Sequence, residues 1–146
     1  MSLRELYQEM IVDHGKHPRN FGVLSHATHQ HAGHNPLCGD KLMVYLTVTN
    51  GMVDDVRFEG EGCAISVASA SLMTESIKGK SIVDINNLFN LFHHLVTEGK
   101  EPEQSIGKLS VFSGVAEFPV RVKCATLAWH TLQAALLNDP HSVSTE

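Results

Sequence analysis

Three cysteines are the residues of this chain with the most distinctive chemistry. Cys38, Cys63 and Cys124 are too few and too far apart for a disulfide framework, and their number is odd. Thiols that remain free in this way can bind a metal ion or take part in thiol chemistry. No two of them are separated by only two residues, the pattern that makes a zinc ribbon recognisable. Spacing alone therefore leaves two interpretations open, a shared site or three small buried thiols.

A carboxylate close to the first cysteine completes a candidate ligand set. In the sequence Asn-Pro-Leu-Cys-Gly-Asp, the Asn-Pro pair predicts a turn and Gly39 lets the backbone bend. The Cys38 sulfur and the Asp40 carboxylate can then face one ion. With Cys63 and Cys124 they offer sulfur and oxygen donors that suit tetrahedral zinc, and an iron–sulfur cluster accepts the same donors.

Two basic residues precede the third cysteine. Arg121 and Lys123 would partly neutralise the negative charge that four anionic ligands leave around zinc. Arg121 could also meet a partner protein. Both residues fall in the first turns of a predicted helix, where a basic side chain is commonly just exposed, so a surface role stays open for each.

The ten histidines predict no second metal site. Four of them lie close together around a segment with polar residues on both faces, and a polar strand explains that pattern without a metal: His26, His29, His31 and His34. The others inside predicted helices are expected to pack or to lie at the surface: His93, His94 and His130.

Hydrophobic periodicity predicts the elements that must position these residues. Apolar residues at helical spacing, with a Ser2/Glu5 capping box, predict a first helix over residues 2–13 that ends before Gly15 and Pro18. From Lys41 the period is two, and Asn50-Gly51 predicts a type I′ turn between two strands. Three further helices are expected over residues 64–78, 81–99 and about 120–137.

The remaining segments are less regular. Residues 27–32 are predicted to form an edge strand that is polar on both faces, and residues 100–119 to form a packed excursion with a short helix. The last six residues are expected to fray. Strands followed by helices predict one α+β domain over residues 1–146, a small antiparallel sheet of about three strands with helices packed on one face. The three cysteines fall at its joints and can share one end of it.

Composition excludes several classes of function. The formal net charge is −5 and no block of Lys and Arg occurs, which disfavours electrostatic binding to nucleic acid or to anionic lipid. The apolar runs are far shorter than the roughly 20 residues that a bilayer requires. Glu5 and Glu9 lie where a leader would be apolar or rich in arginine, so we expect a cytoplasmic protein.

Five motifs along the chain are specific in combination. They are the segment from Leu6-Tyr7-Gln8 to Asp13-His14, Pro18-Arg19-Asn20, and the segments 35–40, 58–66 and 119–125. Together they span nearly the whole chain and resemble the NifU/IscU/SufU iron–sulfur cluster assembly proteins. The resemblance implies a SufE/NifU-like fold and a metal or cluster site formed by the four residues Cys38, Asp40, Cys63 and Cys124. It also implies two partners, a pyridoxal-phosphate cysteine desulfurase of the SufS type and a downstream acceptor of sulfur or of a cluster.

Within that family the chain resembles the SufU branch. Lys123 stands where IscU proteins place a histidine, and the interval from Cys63 to Cys124 includes the extra segment typical of SufU. This resemblance implies a zinc-dependent sulfurtransferase in which Cys38, on a turn flanked by glycine, accepts persulfide sulfur while the other three ligands keep the zinc. Two alternatives stay open, a scaffold on which a [2Fe–2S] cluster is built and a purely structural zinc site.

Overall fold

The computed structural model describes residues 2–138 and 143–145. Along the chain its helices and strands are α1 (Leu3–Lys16), β1 (His29–Asn35), β2 (Asp40–Thr49), β3 (Met52–Glu61), α2 (Ala64–Ile77), α3 (Ile82–Glu98), a 3₁₀ segment (Gly107–Glu117), α4 (Pro119–Leu136) and β4 (Val143–Ser144). The predicted α+β class is confirmed. No helix in the described ranges is long and apolar enough to cross a bilayer.

A mixed sheet forms one layer of the fold. Its strand order is β3-β2-β1-β4, with β2 antiparallel to both neighbours and β4 parallel to β1. The β2–β3 hairpin is confirmed, because Asn50 and Gly51 both have positive φ, as a type I′ turn requires. Alternate residues of β2 and β3 are buried beneath the helices, where α2 packs on β3 and α4 on β1 and β2: Leu42, Val44, Leu46, Val56 and Phe58.

The predicted edge strand lies inside the sheet. It covers His29–Asn35 rather than residues 27–32, and the two-residue β4 pairs with it, so the sheet has four strands instead of three. One face of β1 is covered by α4, which explains why His31, Gly33 and Asn35 are buried. The prediction that the last six residues fray is wrong for Val143–Ser144, and residues 141, 142 and 146 lie outside the described ranges.

Small side chains let α2 lie at the centre of the fold. Every residue from Ser66 to Thr74 is buried, because α2 contacts α1, α4, β3 and the 3₁₀ segment. The first helix α1 packs on α2 and extends through Gly15, where a Cβ atom would lie 3.2 Å from that of Ala64. Its end was therefore predicted too early, since contact with α2 stabilises the final turn despite the glycine.

The irregular segment before α4 is packed, as predicted. Its 3₁₀ helix buries four apolar side chains against α3 and α4: Leu109, Val111, Phe112 and Val115. Phe92 of α3 stacks on Trp129 of α4 with ring centroids 4.7 Å apart. These contacts hold α4, and with it Cys124, against α3 and the 3₁₀ segment.

Candidate metal centre

Three of the four predicted ligands come together at one end of the sheet. The Cys38 and Cys124 sulfurs and a carboxylate oxygen of Asp40 all lie within 4.8 Å of one another. Cys38 lies on the turn between β1 and β2, Asp40 is the first residue of β2, and Cys124 lies in the second turn of α4. Asp40 and Cys124 are buried, whereas Cys38 is exposed.

The turn that carries Cys38 is closed by the residue at its start. The Asn35 side-chain oxygen accepts a hydrogen bond from the Leu37 N–H at 3.3 Å, and the Asn35 carbonyl accepts one from the Cys38 N–H at 3.3 Å. Gly39 has φ +73°, a conformation that glycine adopts without strain. The turn returns the chain so that Asp40 pairs with Asn35 across the two strands.

Hydrogen bonds hold the Asp40 carboxylate on both sides. Its Oδ1 accepts from the Cys63 N–H at 2.9 Å, and its Oδ2 accepts from the Asn35 side-chain amide at 3.3 Å. Gly62 makes this approach possible, because a Cβ atom on that residue would lie 2.4 Å from Asp40 Oδ1. The carboxylate is therefore fixed in a rotamer that faces the two sulfurs.

Cys63 lies beside this cluster as the N-cap of α2. Its sulfur accepts a hydrogen bond from the Ser66 N–H at 3.5 Å, and its backbone binds Asp40. The cluster of mutually close ligand atoms found among the described residues does not include the Cys63 sulfur. Through the hydrogen bond from its N–H to Asp40, the fourth predicted ligand nevertheless borders the cluster.

Cys124 is the most deeply enclosed of the thiols. Its sulfur lies 3.3 Å from the Cys38 sulfur and 3.4 Å from the Asn35 side-chain nitrogen. Burial raises the pKa of the Cys124 thiol, and its contacts with Cys38, Asp40 and Cys63 raise it further. The converging donors therefore favour a neutral thiol until a cation balances their charge.

This donor set fits zinc. Thiolates and a carboxylate are ligands that zinc accepts in tetrahedral sites, and the buried Asn35 amide donates to one ligand of each type. Cys38, Asp40 and Cys124 would hold the ion, with Cys63 as the neighbouring fourth donor. The group of mutually close ligand atoms found among the described residues contains no histidine.

The two basic residues before Cys124 lie near the site without contacting it. The Arg121 guanidinium stacks over the Phe118 ring at 4.3 Å from its centroid. Lys123 lines a separate groove with His130 and Val143. Within residues 2–138 and 143–145, neither side chain forms a hydrogen bond or ion pair with the candidate ligands, so their supporting role stays a prediction.

A groove of about 540 Å³ lies next to the candidate site. It runs between α1, the 3₁₀ segment and the start of α4, and its walls are largely apolar. Ile65 of its wall is two residues from Cys63, and Arg121 is three residues from Cys124. Leu3 and Phe118 in the same wall are exposed.

Comparison with known proteins shows which family the chain belongs to. Residues 6–125 match the family described as NifU-like N terminal domain. The chain is 41% identical over 140 residues to the zinc-dependent sulfurtransferase SufU of Bacillus subtilis, with 94% of each chain covered. It is 38% identical over 136 residues to the iron–sulfur cluster assembly scaffold protein IscU of Thermotoga maritima, with 93% of this chain and 96% of that one covered.

A solved structure from the same group of proteins has a similar fold. A protein from Fervidobacterium islandicum, described as an iron–sulfur cluster assembly scaffold of the SUF system, superimposes with a TM-score of 0.84 at 33% identity. The alignment covers 92% of this chain and 99% of that one. The chain belongs to the NifU-like N-terminal domain family and is a member of the NifU/IscU/SufU group of iron–sulfur cluster assembly proteins.

Proposed function

We propose that this protein is a zinc-dependent sulfurtransferase that accepts persulfide sulfur from a cysteine desulfurase on Cys38. The observation that carries the proposal is the contrast in exposure within one cluster. Cys38 is exposed on a turn, whereas Asp40 and Cys124 are buried and held by hydrogen bonds. One thiol can therefore meet a partner while the others keep a metal ion in place.

The reaction is an exchange of one sulfur–sulfur bond for another. The Cys38 thiolate attacks the terminal sulfur of a persulfide on the desulfurase cysteine. A bond forms between the Cys38 sulfur and the terminal sulfur, the persulfide bond on the desulfurase breaks, and the desulfurase cysteine leaves as a thiolate. The exchange has no net oxidation or reduction, and a downstream acceptor receives the sulfur in a second exchange of the same type.

The metal ligands would be Cys38, Asp40, Cys63 and Cys124. Zinc, when bound, would hold these thiols deprotonated near neutral pH, which offsets the raised pKa of Cys124. The name of the Bacillus subtilis relative supports both zinc and sulfur transfer for this chain. Lys123, at the position where IscU proteins have histidine, supports the same assignment.

The test is Cys38→Ser in a desulfurase assay with a SufS-type partner. We expect stimulation of the desulfurase by the zinc-loaded protein to fall to background, because serine cannot hold a persulfide. Circular dichroism should show a folded protein, since Cys38 is exposed and contributes little to the core. Leu137→Ser is the matched control, because Leu137 is exposed and lies about 20 Å from Cys124 along α4 at 1.5 Å per residue. Undiminished stimulation by Cys38→Ser would refute the proposed role.

A scaffold for cluster assembly is the second candidate function. It is favoured by the names of relatives such as IscU of Thermotoga maritima, and an iron–sulfur cluster accepts the same sulfur and carboxylate donors. In that case, anaerobic incubation with iron and sulfide should give a coloured protein that passes its cluster to an apo-acceptor. A colourless product that retains its zinc favours the sulfurtransferase.

A further inference from the structure

Asn35 is a fully buried polar residue that the sulfur exchange does not use. It is the last residue of β1, and none of its surface is exposed. Its side-chain nitrogen lies 3.3 Å from Asp40 Oδ2 and 3.4 Å from the Cys124 sulfur. A primary amide has two N–H donors, so one Asn35 side chain can bond to both candidate ligands at once.

The oxygen atoms of Asn35 accept hydrogen bonds from the turn that carries a third candidate ligand, Cys38. The side-chain oxygen accepts from the Leu37 N–H, and the backbone oxygen accepts from the Cys38 N–H. One residue is thus bonded to the turn that carries Cys38, to the Asp40 carboxylate and to the Cys124 sulfur. The turn and Asp40 follow Asn35 directly in the sequence, whereas Cys124 is 89 residues away, on α4.

We propose that Asn35 is a positioning residue for the metal site. Its amide holds the Asp40 carboxylate and the Cys124 sulfur side by side, and its oxygen atoms close the turn that presents Cys38. Hydrogen bonds of this kind fix the orientation of metal ligands, and their loss typically weakens metal binding about 10–100-fold. The inference rests on the metal site of the proposed function and is independent of whether that site relays sulfur or builds a cluster.

The variant Asn35→Ser separates the role of Asn35 in the turn from its role toward the two ligands. A serine hydroxyl can still accept from the Leu37 N–H in the turn, but it is too short to donate to both ligands. We expect the zinc dissociation constant, measured by competition with a chromophoric chelator, to rise about 10–100-fold. With cobalt(II) as the probe, the visible and near-ultraviolet bands that report thiolate ligation and tetrahedral geometry should shift or weaken.

Asn20→Ser is the matched control. The Asn20 side-chain nitrogen donates to the Thr74 hydroxyl at 3.0 Å, away from the candidate ligands. Its replacement should lower stability without changing the zinc dissociation constant or the cobalt spectrum. If Asn35→Ser leaves both of these as they are in the unsubstituted protein, Asn35 serves only the turn and the proposal is overturned.

A measurement on the unsubstituted protein covers the case in which Asn35→Ser does not fold. In ¹⁵N–¹H spectra, the side-chain amide signals of Asn35 should move when zinc is added, whereas those of exposed Asn87, which contacts Gln104, should stay in place. If the Asn35 signals do not move in a protein that binds zinc, this inference is overturned but the proposed function is not. A protein that binds neither zinc nor cobalt overturns the proposed function as well.

Discussion

Gly62 shows how a single residue without a side chain shapes the candidate site. A Cβ atom at this position would lie 2.4 Å from Asp40 Oδ1 and 3.0 Å from its Cγ. Gly62→Ala must therefore displace the carboxylate or the start of α2. We expect the free energy of unfolding to fall by about 1–3 kcal/mol, as for other overpacked sites. Zinc binding, measured by chelator competition, should weaken because Asp40 no longer faces the sulfurs.

Gly114→Ala provides the comparison for that prediction. Gly114 lies in the 3₁₀ segment, and a Cβ atom built on it would meet no other atom within 4 Å. We expect no loss of zinc affinity and a change in stability within about 0.5 kcal/mol, as is usual for a surface substitution. Equal effects of the two alanines on zinc binding would contradict the contact between Gly62 and Asp40.

The contributions of Asn35 and Gly62 could not be read from the sequence. The candidate ligands stand out because thiols and carboxylates have known chemistry. The Asn-Pro and Gly-Asp pairs predict the turn that carries Cys38 and leads to Asp40. Asn35 was predicted only as a turn residue, although its amide reaches Cys124 on a distant helix. Such roles depend on tertiary contacts, which local patterns do not encode.

At the scale of elements, the groove between α1 and α4 is suited to a protein partner. Phe118 is 41% exposed at the start of α4, with Arg121 stacked on its ring. Aromatic and arginine side chains commonly dominate the binding energy of interfaces. If the desulfurase docks here, Phe118→Ser should raise the concentration needed for half-maximal stimulation about 30-fold, the equivalent of about 2 kcal/mol.

Val83→Ser tests whether that effect is specific. Val83 is 77% exposed on α3 and does not line the groove. Val83→Ser should leave the concentration needed for half-maximal stimulation unchanged. The maximal rate should be the same in both variants, because neither removes a candidate ligand. If Phe118→Ser behaves like Val83→Ser in a titration against the desulfurase, the partner does not use the groove.

Elements with a strong period were predictable, and those stabilised by distant contacts were not. The hairpin turn and the capping residue Ser2 act locally, and the structure shows both as predicted. The place of β1 inside the sheet depends on α4 and β4, which follow it by more than 80 residues. Gly33 illustrates the reason, because a Cβ there would lie 2.0 Å from the Thr131 hydroxyl of α4.

At the scale of the whole molecule, a buried histidine joins α1 to the central helix. The His14 ring is within hydrogen-bonding distance of the Ser71 hydroxyl of α2, at 2.7 Å, and its other nitrogen lies 3.8 Å from Glu75. Burial lowers the pKa of His14, and nearby Arg19 lowers it further, with a smaller contribution from Lys108 of the 3₁₀ segment. Glu75 and Asp13 act in the opposite direction without cancelling these effects.

This lowered pKa makes the stability of the fold depend on mild acid. Below the usual histidine pKa of about 6.5, the unfolded chain takes up a proton that His14 in the folded protein still resists. The free energy of unfolding should therefore decrease as the pH falls from 6.5 towards the folded pKa, and it should be insensitive to this group above 6.5. Burial also lowers the pKa of His130, which adds a decrease of the same sign.

The prediction is tested by urea unfolding of the metal-free protein between about pH 7.5 and pH 5, a range in which histidine titrates. Metal must be absent because ligand protonation would contribute its own pH dependence. His14→Asn should lower stability at every pH, through lost packing, but should flatten the decrease in acid. His94→Asn, which removes an exposed histidine of α3, should keep the slope of the unsubstituted protein. If the slope of His14→Asn is equally steep, the acid sensitivity arises elsewhere, and the contact between α1 and α2 does not control it.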